Sequence, residues 1–178
     1  NGFEASLHRR WYLDEAYFEK EKSAIFLREW ICVGREEDWP NPGDHQVLAL
    51  FGESILLVRN RAGALRAFYN VCRHRGAQLC SQHPAEQSAA TAHGGIIGKR
   101  LIRCPYHGWT YDLDGKLTHA PFMDTQDSFD PESITLHPVA VAAWGGFVFL
   151  NLTPEAAPDF DHAIGGPAER LSRYPLES

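Results

Sequence analysis

Large apolar side chains recur at helical spacing between residues 13 and 30. Asp14 is a good N-cap residue, and Leu13 and Phe18 flank it at the positions of a hydrophobic staple. A mostly aromatic stripe runs along one face of this segment, and such a stripe is typical of a docking face. The pattern predicts a helix over residues 13–30, inside an N-terminal lead-in that covers residues 1–35.

From residue 31 onwards the apolar residues fall in short runs separated by turn-forming residues. Two runs, 47–51 and 54–59, flank Gly52-Glu53 and predict a β-hairpin. Because many short strands with Gly and Pro between them are typical of small barrels and sandwiches, we expect a mainly β, antiparallel fold over residues 36–152. The further strands are predicted at residues 65–70, 101–103, 116–119, 135–143 and 146–152.

Two segments depart from this pattern. Residues 81–99 are rich in Ser, Gln, Ala, His and Gly with little periodicity, which predicts an exposed insertion. Residues 153–168 are rich in Pro, Ala, Asp and Gly, so residues 153–178 are interpreted as a linker or tail.

Composition narrows the range of functions. The length of 178 residues suits one domain with appendages, and 44% hydrophobic residues are ordinary for a globular protein. The net charge of −6 disfavours nonspecific binding to nucleic acid. We find no apolar run as long as a membrane helix and no signal-peptide pattern, so we expect neither a membrane nor a nucleic-acid partner.

Four cysteines invite a disulfide interpretation, but their spacing favours metal chemistry. Cys72 and Cys104 are each followed by a histidine two or three residues later. Cys32 lies in an apolar stretch and is expected to be a buried small hydrophobe, and Cys80 is expected to pack in the core or a loop, with a thiol near a cluster as the alternative. Unpaired cysteines indicate a reducing compartment, so we expect a cytoplasmic protein.

The most informative residues form two short boxes. Cys72-Arg73-His74-Arg75-Gly76 and Cys104-Pro105-Tyr106-His107-Gly108-Trp109 each pair one thiolate with one imidazole. Two thiolates on one iron and two imidazoles on the other form the ligand set of a Rieske [2Fe–2S] centre. A glycine beyond each histidine lets the backbone bend sharply and bring its N–H groups near the cluster sulfurs. We therefore predict that Cys72, His74, Cys104 and His107 bind a [2Fe–2S] cluster.

A structural zinc site is the alternative, since two Cys and two His also bind zinc. Zinc fingers usually group Cys with Cys and His with His, whereas each box here is mixed. The mixed boxes favour the two-iron cluster over zinc.

The two boxes resemble those of the Rieske domain in the large (α) subunits of ring-hydroxylating oxygenases. The similarity extends over nearly the whole chain except residues 81–99, and 29 residues separate His74 from Cys104, a longer gap than is usual in that family. The segments that carry the resemblance are residues 26–30, 70–76, 104–117 and 167–176.

The resemblance implies a function in electron transfer. Such a domain takes single electrons from a reductase or ferredoxin and passes them to a mononuclear iron, held by two His and one carboxylate, that activates dioxygen for hydroxylation. In the family this iron lies in the neighbouring subunit of a ring-shaped trimer. The catalytic domain is absent from this chain, so no catalytic residue is expected here, and the substrate and the choice between mono- and dioxygenation cannot be inferred.

The resemblance also separates this chain from other Rieske proteins. Respiratory Rieske proteins carry an extra Cys in each loop, but Tyr106 occupies the second of those positions, and Trp109 stands where they have a hydroxyl donor to a cluster sulfur. A low potential within the Rieske range follows from fewer donors. A free-standing Rieske ferredoxin, which is a carrier and not an enzyme, is the remaining rival, and the N-terminal helix and the 153–178 tail argue against it.

Overall fold

The computed structural model describes residues 6–81, 95–97, 99–123 and 129–176. Its strands are antiparallel and form two sheets, as the sequence predicts. The larger sheet has the order β1-β10-β9-β4-β3-β2 and the smaller one β5-β6-β7-β8. The strands are β1 (Ile31–Arg35), β2 (His45–Leu50), β3 (Glu53–Arg59), β4 (Leu65–Tyr69), β5 (Gly95–Ile97), β6 (Leu101–Arg103), β7 (Thr110–Asp112), β8 (Leu117–His119), β9 (Pro138–Trp144) and β10 (Phe147–Asn151).

Strand β3 divides the apolar core in two because its alternate side chains point to opposite faces of the sheet. Leu56 and Val58 enter the core that lies with the small sheet and the two boxes. Ile55 and Leu57 enter a second core with Val148 and others. All four β3 side chains are fully buried, which explains the unbroken apolar run in this strand.

The N-terminal helix is shorter and more divided than predicted. Helix α1 (Arg10–Leu13) precedes helix α2 (Glu15–Glu21), and a π-helical segment, Lys22–Phe26, follows. The predicted cap is confirmed, because the Asp14 side chain accepts a hydrogen bond from the Ala16 N–H. The staple is wrong: Leu13 is 78% exposed, so it gains no burial from Phe18.

The other local predictions have mixed outcomes. Cys32 is exposed on β1, not buried, because its strand position faces away from the core. Cys80 is buried in the core, as expected. Most of the predicted insertion at 81–99 lies outside the described residues, but Gly95–Ile97 form β5 and pair with β6, so this end belongs to the sheet.

The segment interpreted as a linker or tail contains ordered secondary structure. It begins with the 3-10 turn Pro154–Ala156 and continues into helix α3 (Phe160–Leu171), whose Pro167 lies inside the helix. Asp159 caps this helix by accepting from the His162 N–H. The Pro- and Gly-rich composition of this segment led to the linker interpretation. The Asp159 N-cap is a stronger signal than the residues inside the helix, and it indicates α3.

The tail is fastened to the N-terminal segment by Trp30. Its indole Nε1–H donates to the Pro158 carbonyl at 2.8 Å, and its ring meets Phe160 edge-on with 5.0 Å between centroids. Nearby, the Thr153 hydroxyl donates to the Leu27 carbonyl at 3.0 Å. Among the described residues, no helix has the length and apolar character needed to cross a bilayer.

Replacing Trp30 with Phe keeps an aromatic ring but removes the hydrogen bond to Pro158. We expect the free energy of unfolding to fall by about 1 kcal/mol, because one partly buried hydrogen bond is lost. Urea titration measures the loss, and limited proteolysis should show faster cleavage near α3. Trp11→Phe, at an exposed ring, is the control; equal stability of both variants with the unmodified chain would contradict the role of Trp30.

Candidate metal centre

The two boxes lie on two loops that the sheets hold side by side. The first loop, residues 70–80, follows β4 of the large sheet. The second, residues 104–109, connects β6 to β7 of the small sheet. Each loop is therefore anchored to a different sheet, and residues that are far apart in the sequence come together.

The first loop closes on itself through its cysteine. The Cys72 N–H donates to the Ala77 carbonyl at 2.8 Å, and the Gly76 N–H donates to the Cys72 carbonyl at 3.0 Å. Gly76 has φ = 69°, a left-handed conformation that favours glycine. His74 lies at the tip of the turn that these bonds define.

The second loop repeats this closure. The Cys104 N–H donates to the Trp109 carbonyl at 2.8 Å, and the Gly108 N–H donates to the Cys104 carbonyl at 3.1 Å. Gly108 has φ = 75°. In both loops the glycine is four residues after the cysteine, so the two boxes share one backbone motif. The histidine is two residues after the cysteine in the first loop and three residues after it in the second.

The four predicted ligands come together as two layers. Cys72 and Cys104 are 3% and 2% exposed and belong to the same buried core cluster. The rings of His74 and His107 are half-buried and have centroids 4.8 Å apart. The sulfur donors thus lie on the buried side and the imidazoles nearer the surface.

The donor chemistry fits an iron–sulfur cluster. His107 Nδ1 is buried without a hydrogen-bond partner, which is costly for a ring nitrogen unless a metal binds it. Burial, followed by the charges of His107 and Arg75, lowers the pKa of His74, which favours the neutral imidazole that binds metals. Both observations agree with the predicted ligand set.

The surroundings of the Cys104 thiol act on its pKa in opposite directions. Burial raises the pKa, and the neighbouring Cys72 raises it further, whereas the backbone N–H groups of Tyr106 and His107 lower it; on balance the pKa is raised. Backbone donors of this kind stabilise negative charge on cluster sulfurs. Such opposed effects on the pKa of a cysteine are expected at a site where two thiolates bind the same metal ion.

The pairing of the donors favours a two-iron cluster over a single zinc ion. A tetrahedral zinc site needs four such donors around one centre. A two-iron cluster takes only two protein ligands on each iron, so the pairing of thiols with thiols and imidazoles with imidazoles matches the cluster.

Tyr111 is a functional residue that the sequence analysis missed. Its hydroxyl lies 3.2 Å from Cys72 Sγ and accepts the Arg73 N–H at 3.1 Å, which leaves its own proton free to donate to the sulfur. Burial, together with this sulfur, raises the pKa of Tyr111. Its position in a β-strand two residues after Trp109 was the signal, since alternation places it on the face of the cluster loops.

Trp109 and Asn70 support the ligands in different ways. The Trp109 ring stacks on His74 with 4.7 Å between centroids and an angle of 7°. The Asn70 side chain donates to the Cys80 carbonyl at 2.8 Å and accepts the Cys80 N–H at 2.9 Å, so it ties the two ends of the first loop together. An isolated β-bridge also joins the two sides of this loop, and the Asn70 side chain adds to that pairing.

The two remaining cysteines stand apart from the donors. Cys32 is exposed on β1, an edge strand of the larger sheet. Burial raises the pKa of Cys80 to about 12, so this thiol stays protonated and behaves as a core side chain. All four cysteines are free of disulfides. Tyr106, in the second loop, is 61% exposed.

Comparison with known proteins gives consistent matches. The profile of the Rieske [2Fe-2S] domain matches residues 29–130. The carnitine monooxygenase oxygenase subunit of Escherichia coli K12 is 40% identical over 93% of this chain and 41% of its own length. The glycine betaine monooxygenase oxygenase subunit of Chromohalobacter salexigens is 40% identical over 97% of this chain and 36% of its own length.

Solved structures agree with these relatives. The crystal structure of a quaternary ammonium Rieske monooxygenase in complex with L-carnitine superposes with a TM-score of 0.79 and 37% identity, and the match covers 95% of this chain and 45% of that chain. The chain thus spans about two-fifths of the relatives that it matches. Because these relatives are oxygenase subunits, the matches favour an oxygenase domain over a free-standing ferredoxin.

Replacing Cys104 with Ser should abolish the brown colour and most of the bound iron and sulfide, because one iron loses a thiolate and the loops lose their clamp. Iron analysis and the visible spectrum measure this. Cys80→Ala, at a core thiol, should keep its full iron content and is the control. A normally coloured, iron-loaded Cys104→Ser protein would contradict the assignment.

Replacing Tyr111 with Phe should lower the reduction potential of the assembled centre. The hydroxyl stabilises the more negative, reduced form, and a difference of roughly 1 kcal/mol corresponds to about 40 mV for a one-electron couple. Protein-film voltammetry gives the shift. Tyr69→Phe, which removes a hydroxyl bound to the Leu152 carbonyl instead, should leave the potential unchanged. An equal potential in Tyr111→Phe and the unmodified chain would remove Tyr111 from the site.

Proposed function

Because this chain belongs to the Rieske [2Fe-2S] domain family, we propose that it is the electron-transfer domain of a ring-hydroxylating-type oxygenase α subunit. The observation that carries the proposal is the meeting of two buried thiols with two half-buried imidazoles at the tips of two matched loops. In this proposal Cys72 and Cys104 hold one iron, and His74 and His107 hold the other through Nδ1.

The protein's own residues give each side of the site a task. The buried cysteines and their backbone N–H donors keep water away from the sulfurs and stabilise negative charge. Because the histidines are only half-buried, an electron travels a short distance between the site and a partner protein. When bound, the cluster supplies one-electron chemistry at a potential above that of an all-cysteine cluster.

The proposal extends to the protein of which this domain forms a part. Residues 36–152 would form the cluster domain, and residues 153–178 would lead towards a catalytic domain with a mononuclear Fe(II) held by two His and one carboxylate. A reductase or ferredoxin would supply electrons. The iron of a neighbouring subunit in a trimer would receive them, and inter-subunit electron transfer is described for a related quaternary ammonium Rieske monooxygenase of known structure.

The matched relatives also support a substrate class for the full-length protein. Carnitine and glycine betaine, named in the two relatives at 40% identity, are both quaternary ammonium compounds. We infer that the full-length protein oxidises a compound of this class with dioxygen. The pocket that selects it would lie in the catalytic domain.

The cellular setting follows from charge and thiols. Four cysteines free of disulfides support a reducing compartment, and we place the protein in the cytoplasm. The net charge of −6 disfavours nonspecific binding to nucleic acid, and we propose no membrane association.

Two preparations test this function. The 178-residue chain, loaded with iron and sulfide, should show a [2Fe–2S] spectrum and accept one electron per chain, but it should form no product with dioxygen. The full-length protein with a reductase should consume dioxygen with carnitine or glycine betaine and not with biphenyl. Product formation by the 178-residue chain alone, or a colourless zinc-loaded chain, would contradict the proposal.

A further inference from the structure

One buried polar group beside the candidate metal centre lacks a partner that the four proposed ligands explain. Two side-chain polar atoms of the described residues are buried without a hydrogen bond, His107 Nδ1 and Trp109 Nε1. Iron binding, as proposed above, would account for the first atom. The indole N–H of Trp109 can only donate, and a buried tryptophan usually finds an acceptor for this proton. The second atom therefore needs an acceptor that the described residues do not supply.

The indole ring of Trp109 is held in place by its neighbours. The residue is 4% exposed, and its carbonyl accepts the Cys104 N–H at 2.8 Å. One face of the ring stacks on His74, with 4.7 Å between centroids and 7° between the planes. The Phe129 ring meets the indole at 63°, with 5.7 Å between centroids. A ring fixed in this way cannot turn its N–H towards solvent without leaving the core.

The stacking geometry limits where the acceptor can lie. An indole N–H lies in the plane of its ring, whereas the His74 ring lies over the face of Trp109, so His74 cannot accept this proton. Trp109 belongs to the core cluster that contains the two box cysteines, and the Tyr111 hydroxyl in this cluster is already bonded to the first loop. The other buried side chains of the cluster are thiols or apolar groups, and no described atom, the cysteine sulfurs included, accepts the indole proton. The acceptor must then belong to the group that the site binds.

The proposed [2Fe–2S] cluster contains acceptors of the required kind. Its bridging sulfides carry negative charge, and hydrogen bonds to cluster sulfurs are among the factors that set the reduction potential. An added electron makes the sulfides more negative, so a hydrogen-bond donor beside them stabilises the reduced form more than the oxidised form. A buried donor without another partner, next to an imidazole ligand, suits this role.

We propose that the indole N–H of Trp109 donates a hydrogen bond to a bridging sulfide of the bound cluster and thereby raises the reduction potential of the centre. The inference rests on the proposed function and adds a contact with the cofactor that the four ligands do not make. The sequence predicts fewer donors at the cluster sulfurs because Trp109 stands in place of a hydroxyl residue. The indole N–H restores one of those donors.

The ring of Phe129 is the competing acceptor. An N–H group that points at an aromatic face forms a weak hydrogen bond, and the angle of 63° between the two rings permits such a contact. A sulfide is the stronger acceptor because it is charged, and hydrogen bonds to charged groups are roughly twice as strong as neutral ones. A variant of Phe129 separates the two acceptors.

Nitrogen hyperfine spectroscopy tests the contact directly. The chain is loaded with iron and sulfide, only the indole nitrogens of its five tryptophans carry ¹⁵N, and pulsed EPR is recorded on the reduced cluster. A hydrogen bond to a sulfide transfers spin density to the donor nitrogen, so an isotropic ¹⁵N coupling is expected. This coupling should be absent from Trp109→Phe. It should persist in Trp144→Phe, which makes the same change at a half-buried ring on β9.

A redox titration followed by EPR measures the effect of the contact on the centre. Trp109→Phe keeps an aromatic ring beside His74 but removes the donor, so the reduced cluster loses stabilisation. At one fixed potential the ratio of reduced to oxidised cluster should fall about fivefold, because one hydrogen bond of ordinary strength is lost. Phe129→Leu removes the competing ring and leaves the indole N–H, so it should keep both the ¹⁵N coupling and the ratio of the unmodified chain.

Three results would overturn this role of Trp109. The first is the absence of the ¹⁵N coupling from an unmodified chain with an intact [2Fe–2S] spectrum, a result that holds even where Trp109→Phe fails to retain a cluster. The second is an equal ratio of reduced to oxidised cluster in Trp109→Phe and Trp144→Phe. The third is an equal fall of that ratio in Trp109→Phe and Phe129→Leu, which would assign the effect to packing. An unmodified chain that holds no [2Fe–2S] cluster would instead contradict the proposed function.

Discussion

The structure depends on one constraint: two loops from different sheets must present their donors to one flat two-iron unit. The first loop follows β4 and the second joins β6 to β7, with 29 residues between His74 and Cys104. Within each loop, backbone hydrogen bonds close a turn on the cysteine, and a glycine with positive φ follows four residues later. Because each loop forms its own turn, the sheets need only set the distance between the two turns. The buried residues of β3 and its neighbours hold that distance.

The same constraint produces the asymmetry on which function rests. The thiols lie inside the core, where the Tyr111 hydroxyl contacts Cys72 Sγ and the backbone N–H groups of Tyr106 and His107 lower the pKa of Cys104 against the effect of burial. The imidazoles lie at the boundary with solvent, where Trp109 stacks on one and Tyr106 packs on the other. In the proposed function, negative charge is stabilised on the inside and electrons are exchanged on the outside, so one arrangement of the four proposed ligands separates the two tasks.

Strong local signals in the sequence predict much of this architecture. The boxes predict the four donors because their residue types and spacing have a direct chemical meaning, and the structure brings these four residues together. The β2–β3 hairpin follows from alternation and its turn. The errors come from interactions over long distances. Trp30 and Phe160 fasten a Pro- and Gly-rich tail that looks like a linker, and the small sheet recruits Gly95–Ile97 from a segment without periodicity. Strand alternation places Tyr111 on the face of the cluster loops, but its contact with Cys72 joins residues 39 apart, and Asn70 bonds to Cys80, ten residues away; neither contact follows from a local pattern.

The central claim is that two thiolates bind one iron and two imidazoles bind the other. Mössbauer spectroscopy of the chain loaded with ⁵⁷Fe tests this most directly, because ligand type sets the isomer shift of each iron. The account predicts two ferric sites of equal area and different isomer shift in the oxidised chain, and a smaller difference between them when His107 is replaced by Cys. Two ferric sites of equal isomer shift in the oxidised chain, or a chain that binds one metal ion in place of two irons, would contradict it.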